Sequence, residues 1–172
     1  MALQSRTAFR LALAAGGLAA LVMLAASPAR AEGQGPFEAL AGSWSGNGVV
    51  NTSDGLRERV RCIVKYVSQN SGHGVRIDLR CASDSYKVEF SGSIVQSGDS
   101  LSGNWFESTN RVGGKISGRV NSNGNQINVR ADGDTFTALL SVKTQGTRQT
   151  FSMESPGAKL SEFSIALNRA SR

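Results

Sequence analysis

From Arg57 to Leu167 apolar and polar positions alternate along the chain in short runs. One phase collects Val60, Cys62, Val64 and Tyr66, then Val75, Ile77, Leu79 and Cys81, then Tyr86, Val88, Phe90 and Ile94. Later runs extend it through Leu101, Trp105, Ile116, Val129, Leu140, Phe151 and Leu167. The opposite phase carries Arg57, Arg59, Arg61, Lys65, Arg76, Asp78, Arg80, Lys87 and Glu89. Successive side chains of a strand point to opposite faces, so a period of two means strands with one buried face and one solvated face. Breaks such as NTSDG at Asn51–Gly55, QSGDS at Gln96–Ser100 and NSNGN at Asn121–Asn125 supply the residues that tight turns require, and hairpin after hairpin is the result. The pattern predicts an all-β fold, a single antiparallel up-and-down barrel of about 8–10 strands. Closure is favoured because no strand carries the devices that protect a free edge. The one helical stretch is GPFEALAG, with Pro36 in its first turn and Gly42 as its stop.

Glycine recurs on the inward phase, in FSGSI at Phe90–Ile94, LSGNW at Leu101–Trp105 and ISGRV at Ile116–Val120. Gly92, Gly103 and Gly118 sit there on three successive strands, and Gly46 and Gly48 do so on the first. Interior strand glycines mark bends, bulges or the close approach of another group. Bending is the preferred reading, with Trp105 and Phe90 filling the missing volume. The alternative is a cavity whose guest takes that volume instead.

The first residues change what the composition means. Arg6 and Arg10 precede an apolar run from Leu11 to Ala26, and SPARA follows with small residues at Ala29 and Ala31. These are the parts of a secretory signal peptide, expected over residues 1–31 with cleavage after Ala31, leaving 32–172 as one barrel domain without a transmembrane segment. The full chain has 19 Lys and Arg against 13 Asp and Glu; losing Arg6, Arg10 and Arg30 leaves 16 against 13, a net +3. That charge removes most of the compositional case for nucleic-acid binding. A periplasmic or secreted destination favours pairing the two cysteines, Cys62 and Cys81. The pairing sets Val64 opposite Leu79 and Tyr66 opposite Ile77, so the disulfide and the alternation predict the same hairpin register.

With those elements placed, LAGSWSG at Leu40–Gly46 and IALNR at Ile165–Arg169 resemble the calycin superfamily, the barrels of lipocalins and fatty-acid-binding proteins. The resemblance implies a short helix leading into a Gly-x-Trp, here Gly42-Ser43-Trp44, whose Trp is covered by a basic residue of the last strand. Trp44 and Arg169 hold those positions, and the resemblance implies that they close one end of the barrel.

Catalytic motifs are thin. GDSL at Gly98–Leu101 is shared with a family of serine esterases, but His73, the only histidine, precedes it in a polar loop. A general base belongs downstream, and the motif reads as a hairpin turn. One His and two paired Cys do not make a usual transition-metal site. The sequence therefore predicts a protein that is not an enzyme, with no cofactor and no metal. Inward polar residues at strand ends are the binding candidates. Glu58, Tyr86 and Glu107 are expected at the rim opposite Trp44, with Phe90, Gly103 and Trp105 below them in the wall. A plugged end and a polar-lipped open end are how small barrels hold one ligand. The leading expectation is a lipocalin-like periplasmic carrier of a small, partly apolar molecule. The alternatives are a module binding a secreted protease through its loops or the segment Glu32–Gly35, and an envelope-associated protein using the basic stripe.

Overall fold

The computed structural model describes residues 33–171; the expected signal peptide and the terminal Arg172 lie outside them. Ten antiparallel strands form a closed barrel in up-and-down order, the architecture that the alternation predicts. They are β1 (Gly42–Thr52), β2 (Arg57–Gln69), β3 (Gly74–Ala82), β4 (Lys87–Ser97), β5 (Ser100–Glu107), β6 (Val112–Val120), β7 (Gln126–Gly133), β8 (Thr137–Gln145), β9 (Arg148–Glu154) and β10 (Leu160–Arg169). The predicted helix is a single 3-10 turn at Glu38–Leu40, after which Gly42 enters β1 with φ 119°, a value a side chain would disfavour. Among the described residues no helix is long and apolar enough to cross a membrane.

The register matches the sequence reading. Cys62 faces Cys81, Val64 faces Leu79 and Tyr66 faces Ile77 across β2 and β3, and the two cysteines form a disulfide. GDSL is the β4–β5 hairpin, with Gly98 at φ 58°. The basic residues lie exposed on the outer faces of β2, β3 and β4, where Ile63 interrupts them at 62 % exposure.

His73 lies in the β2–β3 connection, the polar loop read from the sequence. It is half-buried, its Nδ1 lies 3.0 Å from Gln96 Oε1 and its Nε2 lies 3.2 Å from the carbonyl oxygen of Gly33. The Gly35 and Phe37 amides donate to the carbonyls of Ser71 and Gly72. The segment from Gly33 to Phe37 is therefore stitched to the β2–β3 connection and is not a free arm.

Candidate functional site

Two ends of the barrel are built differently. At the first, Trp44 is fully buried, its Nε1 donates to the carbonyl of Leu40 at 2.7 Å, and the Arg169 guanidinium lies 4.3 Å from its ring centroid. Trp44 and Arg169 are direct partners in the β1–β10 register. Arg169 also donates to the carbonyls of Ala39 and Ala41, tying the last strand to the chain that enters the first. Phe37 and Leu40 pack inward from that segment, both buried. Above them the Tyr66 hydroxyl donates to Gln149 Oε1 at 2.8 Å, and Gln149 Nε2 donates to Thr144 Oγ1 at 3.1 Å. Burial pushes the Tyr66 hydroxyl far above its ordinary value, against the opposing effect of its bond to Gln149, so it stays a neutral donor.

The interior above this plug is hollow. A cavity of about 790 Å³ runs up the barrel, walled by Val60, Val64, Val75, Leu79, Ile94, Ile116, Ile127, Val129 and Ile165 among others. Inward side chains such as Ile77, Val88, Phe90, Leu140 and Met153 pack against the core but are only partly buried, and each also lines this space. The cavity reaches Ser85–Lys87, Thr109 and Asn110, Thr135 and Phe136, and Gly157–Lys159. Apart from Lys87, which opens β4, those residues belong to the β3–β4, β5–β6, β7–β8 and β9–β10 connections, all at the end opposite Trp44. The four connections at the plugged end contribute no wall residue.

The glycines resolve differently from either expectation. A Cβ on Gly103 would stand 2.0 Å from the carbonyl oxygen of Ser93, and one on Gly46, Gly48 or Gly118 would stand 1.9, 2.1 or 2.3 Å from a carbonyl of the neighbouring strand. These glycines let strands approach more closely than any side chain allows. A second group lies in one register row, Gly92 on β4, Trp105 on β5, Gly114 on β6 and Gly133 on β7. There Gly92 and Gly133 make room for rings, while a Cβ on Gly114 would stand 1.7 Å from the carbonyl oxygen of Asp132, as in the first group. The Phe90 ring lies over Gly92, and the Phe136 ring and the Trp105 Cζ2 edge meet over Gly133. Phe90 and Trp105 stack at 6.1 Å and 14°, and Phe136 tilts against Trp105 at 5.7 Å. Close strand approach and a hollow interior coexist, which corrects the preference for bending with the interior filled over a cavity.

Of the six predicted binding residues, Tyr86, Phe90, Trp105 and Glu107 line the cavity and Glu58 and Gly103 do not. Glu58 accepts from the Ser83 hydroxyl at 2.5 Å, which pins the β3–β4 loop and lowers its pKa. Gly103 is held against the backbone of β4. Glu107 is in the wall but its oxygens are engaged. Oε1 accepts from the amides of Glu89 and Thr109, and Oε2 accepts from the amide and the side-chain nitrogen of Asn110. Burial raises its pKa, and those hydrogen bonds outweigh the burial and leave it lowered. Glu107 staples the β5–β6 loop in place. Phe136 also belongs to the site; its signal was an aromatic two residues after the turn-forming Asp132-Gly133-Asp134. Among the described residues no group of three or more His, Cys, Asp or Glu is placed to hold a metal ion.

No family model and no curated protein matches the chain. Solved structures do. The S-type phycobiliprotein lyase CPES from Guillardia theta superposes with a TM-score of 0.57 at 12% identity, over 79% of this chain and 91% of that one. Rv2717c from M. tuberculosis superposes with a TM-score of 0.63 at 15% identity, over 77% of this chain and 94% of that one. At such identities the likeness is one of fold. It also corrects the expectation that the chain is not an enzyme. That expectation rested on missing hydrolase and metal motifs, yet a barrel of this fold is a lyase, so their absence does not exclude catalysis.

Proposed function

We propose that this protein is an exported binding barrel that takes a small, partly apolar ligand into its interior through the mouth opposite Trp44. The observation that carries the reading is the apolar cavity of about 790 Å³, plugged at one end and reaching the loops at the other. Ligand pockets are concave, mostly apolar and rimmed by a few polar groups, in the range of about 300–1,000 Å³. The export signal expected over residues 1–31 supports a site in the periplasm or outside the cell. The stitched segment from Gly33 to Phe37 weighs against a protease-binding arm.

The test is titration of the mature protein with an apolar fluorescent dye such as N-phenyl-1-naphthylamine. Saturable uptake at one site per chain is expected. Val142→Trp, which puts an indole into the space that Val142 lines, should abolish uptake while the far-ultraviolet spectrum stays that of a folded barrel. Equal uptake by both proteins would place the dye outside the cavity and overturn the reading. Fusion of residues 1–31 to a reporter active only after translocation tests export separately.

A further inference from the structure

The wall of the cavity holds one polar group without a partner. Trp105 is 7 % exposed, and its Nε1 is the buried side-chain nitrogen or oxygen that has no hydrogen-bond partner among the described residues. The contrast with its surroundings is sharp. Trp44 Nε1 has the Leu40 carbonyl, Tyr66 has Gln149, and Glu107 has four donors. Buried donors are paired in the great majority of folded proteins, so an orphan calls for a specific explanation. Indole has one N–H and no acceptor capacity, so only an acceptor can satisfy it.

We infer that the ligand carries a hydrogen-bond acceptor oxygen, a carbonyl or carboxylate on an otherwise apolar body, and that Trp105 Nε1 donates to it. This rests on the binding reading above and sharpens it. Nearly all of the wall below the mouth is apolar, which suits the body of such a molecule. Trp105 lies two register rows below the Glu107–Val112 pair that ends the β5–β6 ladder, which sets the acceptor close to the mouth. The neighbours also fit. Nε1 is itself covered, and the Cζ2 edge beside it converges with the Phe136 ring over Gly133, each 3.3 Å from where a Cβ there would stand. Phe136 follows the β7–β8 turn at the mouth. An entering acceptor therefore reaches Nε1 by turning the Phe136 ring, and Gly133 offers no side chain to oppose it. Trp105 is by this account a specificity-determining residue.

A matched pair of flat apolar molecules tests it. 2-Acetylnaphthalene carries one carbonyl oxygen, and 2-isopropylnaphthalene has the same shape without an acceptor. The chain has two Trp, Trp44 and Trp105, so a nitrogen-15 spectrum of the mature protein shows two indole signals, and Trp105→Phe identifies the second. The ketone should bind about two- to tenfold tighter than the hydrocarbon, the ratio one neutral hydrogen bond supplies. It should move the Trp105 indole proton downfield while the Trp44 proton stays, and Trp105→Phe should bring the two affinities together. If both compounds bind equally and the Trp105 proton moves with neither, the cavity reading stands and this inference is overturned. A ketone preference that survives Trp105→Phe also overturns it, assigning the donor to a rim group such as Asn110. If neither compound binds, the inference falls together with the reading beneath it.

Discussion

The two ends of this barrel are made of the same kinds of residue and treat them in opposite ways. Each has a tryptophan on an inward position with aromatic or aliphatic side chains beside it. At the plugged end the Trp44 N–H is bonded to Leu40, its face is covered by Arg169, and Phe37 and Leu40 leave it no exposed surface. At the mouth the Trp105 N–H is unbonded, and its rings rest on Phe90 and on a loop residue, Phe136. One end spends every polar group on the fold, and the other keeps one in reserve. Evolution under stability alone fills such vacancies, because an unpaired buried donor costs about 1–3 kcal/mol. A vacancy kept beside a cavity is what the proposed ligand site requires.

The largest expected effect separates the ends by their packing. Phe37 is 1 % exposed and seals the floor, so Phe37→Ala should cost about 3–5 kcal/mol, as full deletion of a buried ring does. Phe136 is only partly buried and borders open space, so Phe136→Ala should cost less than half as much. Urea denaturation of both variants gives the comparison. Similar losses would mean the mouth is as tightly built as the plug.

The glycines allow a second comparison within the wall. Gly103→Ala drives a methyl against the Ser93 carbonyl oxygen, a backbone atom that cannot turn aside, and the loss should reach the upper part of the range of about 1–3 kcal/mol seen for overpacking. Gly133→Ala meets only the edges of the Phe136 and Trp105 rings at 3.3 Å, which can shift by tenths of an ångström. It should cost clearly less and change the Trp105 emission, a result that differential scanning and fluorescence would show together. Equal costs would remove the distinction between wall glycines and ring-bearing glycines.

Arg169→Ala comes next. It removes a cation–π contact, worth about 0.5–2 kcal/mol, and two hydrogen bonds to the carbonyls of Ala39 and Ala41. A loss of about 2 kcal/mol is expected, with altered Trp44 fluorescence. Arg148→Ala, on an exposed outer position of β9, is the matched control and should do neither. A similar loss in the control would mean that charge alone, and not the stacked geometry, sets the effect.

How much of this was legible in the sequence follows from the range of the interactions. Period-two alternation is local, so the strands, their inward faces and the Cys62–Cys81 register could be read directly. The Trp44–Arg169 closure could be read from the resemblance of LAGSWSG and IALNR to calycins, and antiparallel order agrees with it by returning the last strand to the first. The cavity could not. Whether inward side chains meet across a barrel depends on the sum of their volumes against its diameter, and no single residue signals that Ile77, Leu140 and Met153 fall short of one another. The roles of the rim carboxylates were also hidden. Glu58 and Glu107 have the right phase and position for a ligand lip, but which donors they accept from depends on loop conformation. The segment Glu107–Asn110 held a weak signal, a carboxylate followed by amides two and three positions on that can fold back to it.

That fold-back gives the smallest effect and the one with a pH dependence. Glu107 is 8 % exposed, and its carboxylate is stabilised by four donors that hold its pKa below the ordinary value of 4.5. A group whose folded pKa is lowered contributes stability above its unfolded pKa and loses it as the pH falls through the folded value. Glu107→Gln preserves the shape and one acceptor oxygen. That oxygen can still serve the amides of Glu89 and Thr109, but the new NH₂ faces the amide and side-chain nitrogen of Asn110, donor against donor. The cost should be about 1 kcal/mol at neutral pH, the scale of one lost hydrogen bond to a charged or buried group. It should be felt as loosening of the β5–β6 loop at the mouth. Because the wild type alone surrenders the carboxylate's contribution in acid, the gap between the two proteins should narrow as the pH drops below about 4.5, the ordinary carboxylate range. Urea titrations at pH 7 and pH 3.5 decide it. A gap of equal size at both would mean that Glu107 acts by its shape and not by its charge, and the mouth would then be as indifferent to protonation as the plug.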